Sequence, residues 1–291
     1  MTALELFQEH RPMLFGIAYR MLGSAADAED VVQDAWLRWH GVDADSVAEP
    51  RAYLARTVTN LSINKLRSAA ARREAYVGPW LPEPLVEAAG AADADGGVER
   101  AEDVSLAMLV VLETLSPLER AVFVLREVFG FSHREIAEAT DRSEAAVRQV
   151  ATRARDHVRA RRPRYDAPAA LRRRLTDDFL AACAGGDLNQ VLALLAPDVT
   201  AWSDGGGKVR AALRPVHGAD KVARWILGVM ATSIPDFGAH RVDVNGRPGL
   251  LITSGGVPDT VCCAEFAEDG TVTALHLVRN PHKLRRAQPP L

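Results

Sequence analysis

The chain has 291 residues, a formal net charge of −3 and 48% hydrophobic residues, which is typical of an ordinary globular protein with two or three small domains. It has no apolar run of membrane-spanning length, and its amino terminus lacks the charged start of a signal peptide, so we expect a cytoplasmic protein without membrane contact. The three cysteines, Cys183, Cys262 and Cys263, lack metal-ligand spacing. We therefore expect reduced thiols, no metal and no cofactor.

Residues 1–75 have a helical pattern. Gly23 ends one helix and Ser24 begins the next, whose apolar stripe should face a core. That stripe contains Val32, Ala35, Trp36 and Trp39. A second face carries polar residues at helical spacing and one leucine: Asp30, Gln33, Asp34 and Leu37. This acidic stripe suits a charged partner helix, although a solvated surface would have the same composition.

A second helix is predicted over residues 50–67, where Pro50 fits the first turn. Its basic residues include Arg56, Lys65 and Arg67, and two short amides, Asn60 and Asn64, lie one turn apart. Asparagine side chains can bond base edges, but exposed helices carry such residues too. Both interpretations remain open from the residues alone.

Residues 76–112 are predicted to be an acidic, flexible linker. The segment contains seven acids against Arg100, a net charge of −6, and it is rich in proline and glycine. The linker contains one apolar patch, Trp80-Leu81-Pro82, which suits docking on a neighbouring domain.

Residues 113–164 contain a predicted helix-turn-helix. Ser132 and Glu135 form a capping box for its first helix, and Ser143 caps its second. The second helix has an apolar face and an opposite polar face. Between Arg148 and Arg174 there are ten arginines and two aspartates, a net charge of +8, so the positive charge is concentrated where phosphate binding would use it.

Residues 168–291 are predicted to form three helices and about six strands, a curved antiparallel sheet around a pocket. The helices are expected over 171–183, 187–196 and 219–232. Strands are expected over 199–202, 209–216, 239–245, 249–254, 260–267 and 271–279, with Asn245-Gly246 and Asp269-Gly270 as hairpin turns.

The segment Asp27-Ala-Glu-Asp-Val-Val-Gln-Asp-Ala-Trp36, the basic helix, the acidic linker and Leu115-Ser-Pro-Leu-Glu-Arg120 together resemble a bacterial sigma factor of the extracytoplasmic-function type. The resemblance implies two all-α domains, region 2 over 1–75 and region 4 over 113–164, which bind core RNA polymerase and promoter DNA. Asn64 departs from the family, where Asp is common at this position.

The resemblance also implies roles for residues in three groups. The helix docking on the clamp helices of the largest polymerase subunit would contribute Asp30, Gln33, Asp34, Trp36 and Leu37. The −10 element would be contacted by Arg56, Asn60, Asn64, Lys65 and Arg67, and the −35 element by Ser143, Arg148, Gln149, Thr152, Arg153 and Arg155.

Residues 168–291 resemble the SnoaL-like branch of the nuclear-transport-factor-2-like superfamily, an α+β fold. The linker contains the motif Trp80-Leu-Pro-Glu-Pro84, and the extension contains the loop Asp204-Gly-Gly-Gly-Lys208 and the end Asn280-Pro-His-Lys-Leu284. With these three motifs the chain resembles the SigJ-like subgroup of these sigma factors, in which Asp is usual at the position of His282. The resemblance implies that this extension regulates the sigma factor within one chain. The expected contact residues are Trp80, Leu81, Pro82, Asp204, Gly205, Gly206, Gly207, Lys208, Asn280, Pro281, Lys283 and Leu284.

Two alternatives follow from the same residues. The extension contains acid and base types, namely Asp204, His217, Asp236, His240 and His276, and a glycine-rich loop at Lys208 that lacks P-loop spacing. We expect no catalysis, but an unidentified small ligand in the pocket is a hypothesis. The rival to a sigma factor is a helix-turn-helix regulator fused to a ligand-binding or cyclase-like domain.

Overall fold

The computed structural model describes residues 2–90, 105–162, 165 and 167–289. The chain divides into two compact units, and each is continuous in space but not in sequence. Unit 1 contains Met1–Ala75 and Met108–Arg162, and unit 2 contains Tyr76–Ala107 and Pro163–Leu291. Among the described residues, no helix combines the length and apolar character that crossing a bilayer requires.

The first part of unit 1 is a bundle of three helices, α1 (Ala3–Leu22), α2 (Ala25–His40) and α3 (Pro50–Glu74). As predicted, Gly23 ends α1, with a φ of 64°, and Ser24 accepts a hydrogen bond from the Asp27 amide. Trp39 is fully buried, and its indole donates to the Ala3 carbonyl over 2.7 Å. Val32 and Ala35 are buried beside it, so the predicted apolar stripe does face the core.

The second part of unit 1 begins within α4 (Leu106–Leu112), at Met108. It continues with α5 (Pro117–Phe123), a π-helical turn (Val124–Val128), α6 (His133–Thr140) and α7 (Glu144–Arg161). The predicted caps are confirmed: Ser132 and Glu135 form the capping box of α6, and Ser143 caps α7. The apolar face of α7 is buried, as predicted, through Val147, Val150, Ala151, Ala154 and Val158. This is a helix-turn-helix.

The two parts of unit 1 pack on each other, with α6 lying against α3. Arg51 of α3 donates to the Phe129 carbonyl over 2.9 Å, and its guanidinium lies 4.1 Å from the centre of the Phe131 ring. Arg120 is buried and donates to the Met21 carbonyl over 2.7 Å. Arginine side chains therefore join the helical bundle to the helix-turn-helix in this conformation.

Unit 2 is built on a seven-stranded sheet with three helices. Its elements are β1 (Val86–Ala88), α8 (Ala169–Gly185), α9 (Leu188–Leu194), β2 (Leu195–Asp204), β3 (Val216–His217), α10 (Ala219–Ser233), β4 (Phe237–Val244), β5 (Arg247–Ser254), β6 (Val257–Phe266) and β7 (Val272–Val278). The strand order is β1-β4-β5-β6-β7-β2-β3, and among the strands that the structure describes, β2 and β7 are the pair that runs parallel.

The core of unit 2 lies between the helices and the sheet. It contains Phe179 and Cys183 from α8, Val222 from α10, and Leu250 and Leu275 from the sheet. Asn245 and Gly246 both have positive φ, at 52° and 71°, as the predicted hairpin turn requires. The cysteines are free thiols, as expected. This architecture is the predicted α+β fold.

Two predictions about chain segments need correction. The linker prediction over 76–112 is wrong where the structure describes it, because β1 pairs with β4 (Val86 with Val244, Ala88 with Val242) and α4 occupies 106–112. Residues 91–104 lie outside the described part. A strand was predicted over 209–216, but the observed strand, β3, is Val216–His217. Pro215 precedes it and has no amide hydrogen to donate to a sheet.

Candidate functional sites

The polar face of α2 is exposed. Asp30, Gln33, Asp34 and Leu37 all reach solvent, and Leu37 retains 65% of its accessible surface. Trp36 is half-buried instead, with its ring 5.1 Å from that of Phe7 in an edge-on contact. A shallow groove between α1 and α2 adjoins this face and is lined by Leu4, Phe7, Arg11 and Trp36, among others. Within unit 1, therefore, no neighbouring element covers the described side chains of this face, and a partner protein could contact them.

Residues of α3 expected to read DNA divide into two groups. Arg56, Asn64 and Arg67 are exposed, and Asn60 is half-exposed. Lys65 is already engaged, since its ammonium lies 2.8 Å from Asp27 and 3.0 Å from Asp30. Burial acts to lower the pKa of Lys65, but its bonds to these two carboxylates outweigh burial and raise it. Lys65 therefore links two of the predicted surfaces.

The polar face of α7 projects from the helix-turn-helix. Arg148, Gln149, Thr152 and Arg153 are exposed, and Ser143 is used as the cap. Arg148 pairs with Glu144 one turn earlier, and Arg155 pairs with Glu127 over 2.7 Å. Gln149 is exposed between them on a regular helix, as a residue that reads a base edge must be.

In unit 2, Asp204 organises the docking of the segment that enters from residue 76. Asp204 has no accessible surface, and its carboxylate accepts from the Tyr76 hydroxyl over 2.6 Å and from the Leu81 amide over 2.8 Å. Lys283 supplies the positive charge, at 2.7 Å from the same carboxylate. Burial, followed by the bond to Asp204, raises the pKa of Tyr76. The phenol therefore remains protonated and donates.

Lys283 and Asn280 complete this arrangement, which we call the linker lock. Besides Asp204, the Lys283 ammonium donates to the Leu81 carbonyl over 2.5 Å and lies 4.1 Å from the centre of the Trp80 ring. The Asn280 amide donates to the Tyr76 hydroxyl over 2.8 Å. The linker lock is therefore Tyr76, Trp80 and Leu81 from the linker with Asp204, Asn280 and Lys283 from the extension.

Glycines let the loop after Asp204 approach the linker. Gly206 has a φ of 58°, and a Cβ there would lie 2.3 Å from the Asn280 amide nitrogen. Gly207 has a φ of 68° and would place a Cβ 3.1 Å from Val77. Of the remaining predicted contact residues, Pro82, Gly205 and Leu284 are buried, whereas Lys208 and Pro281 are exposed.

Two contacts that we did not predict hold the rest of the docked segment. The Leu85 amide donates to Asn245 over 3.2 Å, and the Gly90 amide donates to Asp243 over 2.9 Å. Tyr76 was also absent from the predicted contact residues. Only the short sequence distance between Tyr76 and Trp80 could have suggested it.

The acid and base types of the extension are dispersed. Asp204 belongs to the linker lock, His217 contacts the Thr200 hydroxyl at 3.1 Å, and His240 contacts the Thr253 hydroxyl at 3.4 Å. His276 is buried and stacks on Trp202 with 5.1 Å between ring centres. Each of these side chains therefore has a structural neighbour of its own.

An apolar cavity of about 50 Å³ lies between α8, α10 and strands β4–β7. Its lining is almost entirely hydrophobic, and one charged residue, Arg279, reaches it. Burial raises the pKa of Cys183 and of Cys262, both of which line the cavity, to about 12. Both thiols are therefore neutral at physiological pH.

Comparisons with known proteins identify the class. The family models Sigma-70 region 2 and Sigma-70, region 4 match residues 6–72 and 105–158. These are the helical bundle and the helix-turn-helix of unit 1, so the protein is a sigma factor.

Comparisons along the whole chain identify the family. The chain is 43% identical over 301 residues to the ECF RNA polymerase sigma factor SigJ of Mycobacterium tuberculosis, covering 97% of this chain and 96% of that protein. The probable ECF RNA polymerase sigma factor SigI of the same species is 31% identical over 281 residues, covering 96% and 93%. The crystal structure of Mycobacterium tuberculosis SigJ matches with a TM-score of 0.77 at 36% identity, covering 99% of both chains.

The chain therefore belongs to the extracytoplasmic-function sigma factors of RNA polymerase, in the SigJ-like subgroup. It directs transcription initiation. The match to region 2 favours a sigma factor over the rival, because a helix-turn-helix regulator needs no such domain.

Proposed function

We propose that three surfaces of unit 1 divide the work of initiation. The exposed face of α2, with Asp30, Gln33, Asp34 and Leu37 beside Trp36, docks on the clamp helices of the largest polymerase subunit. Arg56, Asn60, Asn64, Lys65 and Arg67 of α3 contact the −10 element. Ser143, Arg148, Gln149, Thr152, Arg153 and Arg155 of the helix-turn-helix contact the −35 element. The exposure of most of these side chains supports the assignment.

The extension controls this activity within the same chain, through the linker lock. The observation that carries this proposal is the buried carboxylate of Asp204, which holds the Tyr76 hydroxyl, the Leu81 amide and Lys283 at 2.6–2.8 Å. Residues 76–90, the described start of the chain between region 2 and region 4, are thus part of the fold of unit 2. Whatever releases the lock changes how freely the two sigma regions can separate.

The length of the docked segment indicates the direction of control. Release of residues 76–90 would add up to about 50 Å of extended chain between the regions. In the free protein α3 packs against α6, yet the −10 and −35 elements are separate sites on promoter DNA. We therefore assign the locked state to low activity and the released state to high activity.

In vitro transcription with core polymerase tests this control. We expect Lys283→Met to raise transcription at least about threefold over the full-length wild type, because the linker lock loses its charge pair. The matched control is Lys221→Met, which removes an exposed lysine from α10 of the same unit. Equal transcription from the two variants and the wild type would refute control by the lock.

The protein carries out no bond chemistry in this proposal. The neighbours of His217, His240 and His276 are a hydroxyl, a hydroxyl and an indole, which supports structural roles. Its partners are core RNA polymerase and promoter DNA, which locate its action in the cytoplasm. A small ligand in the apolar cavity is the remaining part of the proposal.

A further inference from the structure

Arg279 connects the apolar cavity of unit 2 to the linker lock. Its side chain lines the cavity, and its guanidinium binds both carboxylate oxygens of Asp259 at 2.9 Å. The same guanidinium donates to the Arg210 carbonyl over 2.8 Å, in the loop that follows Asp204. Only 7% of the Arg279 side chain is exposed, so this geometry is enforced by packing.

The backbone of Arg279 reaches the linker lock directly. Its amide donates to the Asp204 carbonyl over 2.8 Å, and the next residue, Asn280, donates to the Tyr76 hydroxyl. A displacement of Arg279 by the cavity wall would therefore disturb two members of the lock. Among the described residues that line the cavity, we find no other that also contacts Asp204 or is adjacent in sequence to a member of the linker lock.

We propose that the cavity binds a small, uncharged, apolar molecule and that its occupancy stabilises the linker lock through Arg279. The inference rests on the proposed control by the linker lock and adds the chemistry of its effector. A ligand whose cavity is better formed in the locked state than in the released state binds the locked state more tightly. By linkage, it must shift the population toward the lock.

The lining determines the class of ligand. Phe179, Trp225, Met230 and Leu275 offer apolar surface and no ionised group. The charge of Arg279 is already paired with the half-buried carboxylate of Asp259, so an anion would have to displace that carboxylate. A cation would have to bury its charge in an apolar lining without a counter-ion. The cavity of about 50 Å³ is smaller than the ~150 Å³ that holds a benzene ring, so a six-membered ring enters only when the flexible Met230 moves aside.

Hydrogen exchange on the full-length protein tests the inference, with cyclohexanol as the probe. We expect saturating cyclohexanol to slow exchange in peptides covering residues 76–90 at least threefold, since the amides of Leu81, Leu85 and Gly90 are bonded in the locked state. Cyclohexylammonium has the same ring with a positive charge and should not bind, because burying its ammonium is costly.

Three variants distinguish the cavity from general solvent effects. Val229→Phe fills the cavity and should abolish both binding and slowing, whereas Val257→Phe, at an exposed position on β6, should leave both intact. Arg279→Lys should still bind cyclohexanol in thermal-shift measurements but lose the slowing, because a lysine cannot hold Asp259 and the Arg210 carbonyl together.

Four results would overturn the inference: absence of cyclohexanol binding to the wild type, binding with unchanged or faster exchange at 76–90, slowing that persists in Val229→Phe, or equal response to the charged analogue. If Arg279→Lys does not fold, the Val229→Phe and charged-analogue arms still decide. Exchange is measured without polymerase, so a failure here leaves the transcription test of the linker lock to stand separately.

Discussion

Asp204 and Lys283 form a buried ion pair at the centre of the linker lock. Asp204 has no accessible surface, and the side chain of Lys283 retains 12%. Removing one partner from a buried pair leaves an uncompensated charge, whereas removing both leaves a nearly neutral site. The lock is consequently sensitive to loss of a single side chain.

We predict that Lys283→Met destabilises unit 2 by about 2–4 kcal/mol, since Asp204 then keeps its charge without a cation. The double variant Asp204→Asn/Lys283→Met should be less destabilised than Lys283→Met alone. Urea unfolding of the full-length proteins measures the free energy of unfolding of Lys283→Met, Asp204→Asn and the double variant, with Lys221→Met as the neutral control. A double variant that loses the sum of its two single effects would contradict the coupling.

His276 gives unit 2 a pH dependence of its own. Burial lowers its pKa to about 4, below the ordinary value of 6.5. Between those values the unfolded chain binds the proton that the folded chain excludes. The contribution of the neutral His276 side chain to the stability of unit 2 is therefore complete above pH 6.5, and it is lost as the pH falls toward 4.

We predict that His276→Phe removes part of this acid sensitivity, because phenylalanine can stack on Trp202 without titrating. The wild type should lose about 3 kcal/mol more than the variant between pH 7 and pH 4. Urea unfolding at a series of pH values tests this, and His282→Phe, with an exposed ring, is the control. Parallel pH profiles for wild type and His276→Phe would exclude a contribution from His276.

At the scale of elements, we propose that α7 separates base contacts from phosphate contacts along its length. We predict that Arg148→Ala and Gln149→Ala each reduce discrimination at one −35 position by ~1–3 kcal/mol. Arg161→Ala, at the exposed end of α7, should weaken binding almost equally across sequences and lower the salt slope by about 1. Competition assays with the holoenzyme and −35 variants measure both. Loss of affinity without any change in preference would mean that another face reads the DNA.

The exposed face of α2 makes a different prediction. Asp34→Arg should reduce affinity for core polymerase at least tenfold, because a like charge then faces the partner. Asp34 is preferable to Asp30 as a test because Asp30 already pairs with Lys65 within the protein. Asp45→Arg, an exposed acid outside α2, is the matched control in a co-migration assay. Unchanged affinity in folded Asp34→Arg would remove this face from the interface.

The predicted elements succeeded where local chemistry determines them. The caps at Ser24, Ser132 and Ser143 and the Asn245-Gly246 turn use short-range hydrogen bonds and positive φ, which a sequence displays directly. The turn at Gly255-Gly256 carries the same signal, with φ of 57° and 78°, and was overlooked.

The predictions failed where an element is determined by contacts with residues far away in the sequence. Val86–Ala88 is a strand because β4, more than 150 residues later, offers an unpaired edge. A proline-rich acidic sequence gives no local sign of that partner. The sequence predicted that the Trp80 patch docks and that the Asp204–Lys208 loop and the Asn280–Leu284 end contribute contacts. The roles of Tyr76 and of the Asp204 charge depend on contacts between residues 79 to 128 positions apart, which no local pattern indicates.

At the scale of the whole molecule, the two units interrupt each other in the chain. Region 2 and region 4 belong to unit 1 although residues 76–107, which lie between them in sequence, belong to unit 2. Within unit 1, Arg51 and Arg120 join the two sigma regions. In the control that we propose, the connection between the two sigma regions is itself the regulated element, so it requires no separate regulatory protein.

The position of Lys283 in the chain also has a consequence in time. Ribosomes add about 5–20 residues per second, so roughly 6–24 s separate the synthesis of Arg162 from that of Lys283. During that interval a nascent chain contains both sigma regions but not the lysine that closes the lock on Tyr76 and Leu81. Each chain therefore passes through a brief period during its synthesis in which the linker lock is incomplete. A cell that synthesises the protein rapidly would contain more chains with an incomplete lock.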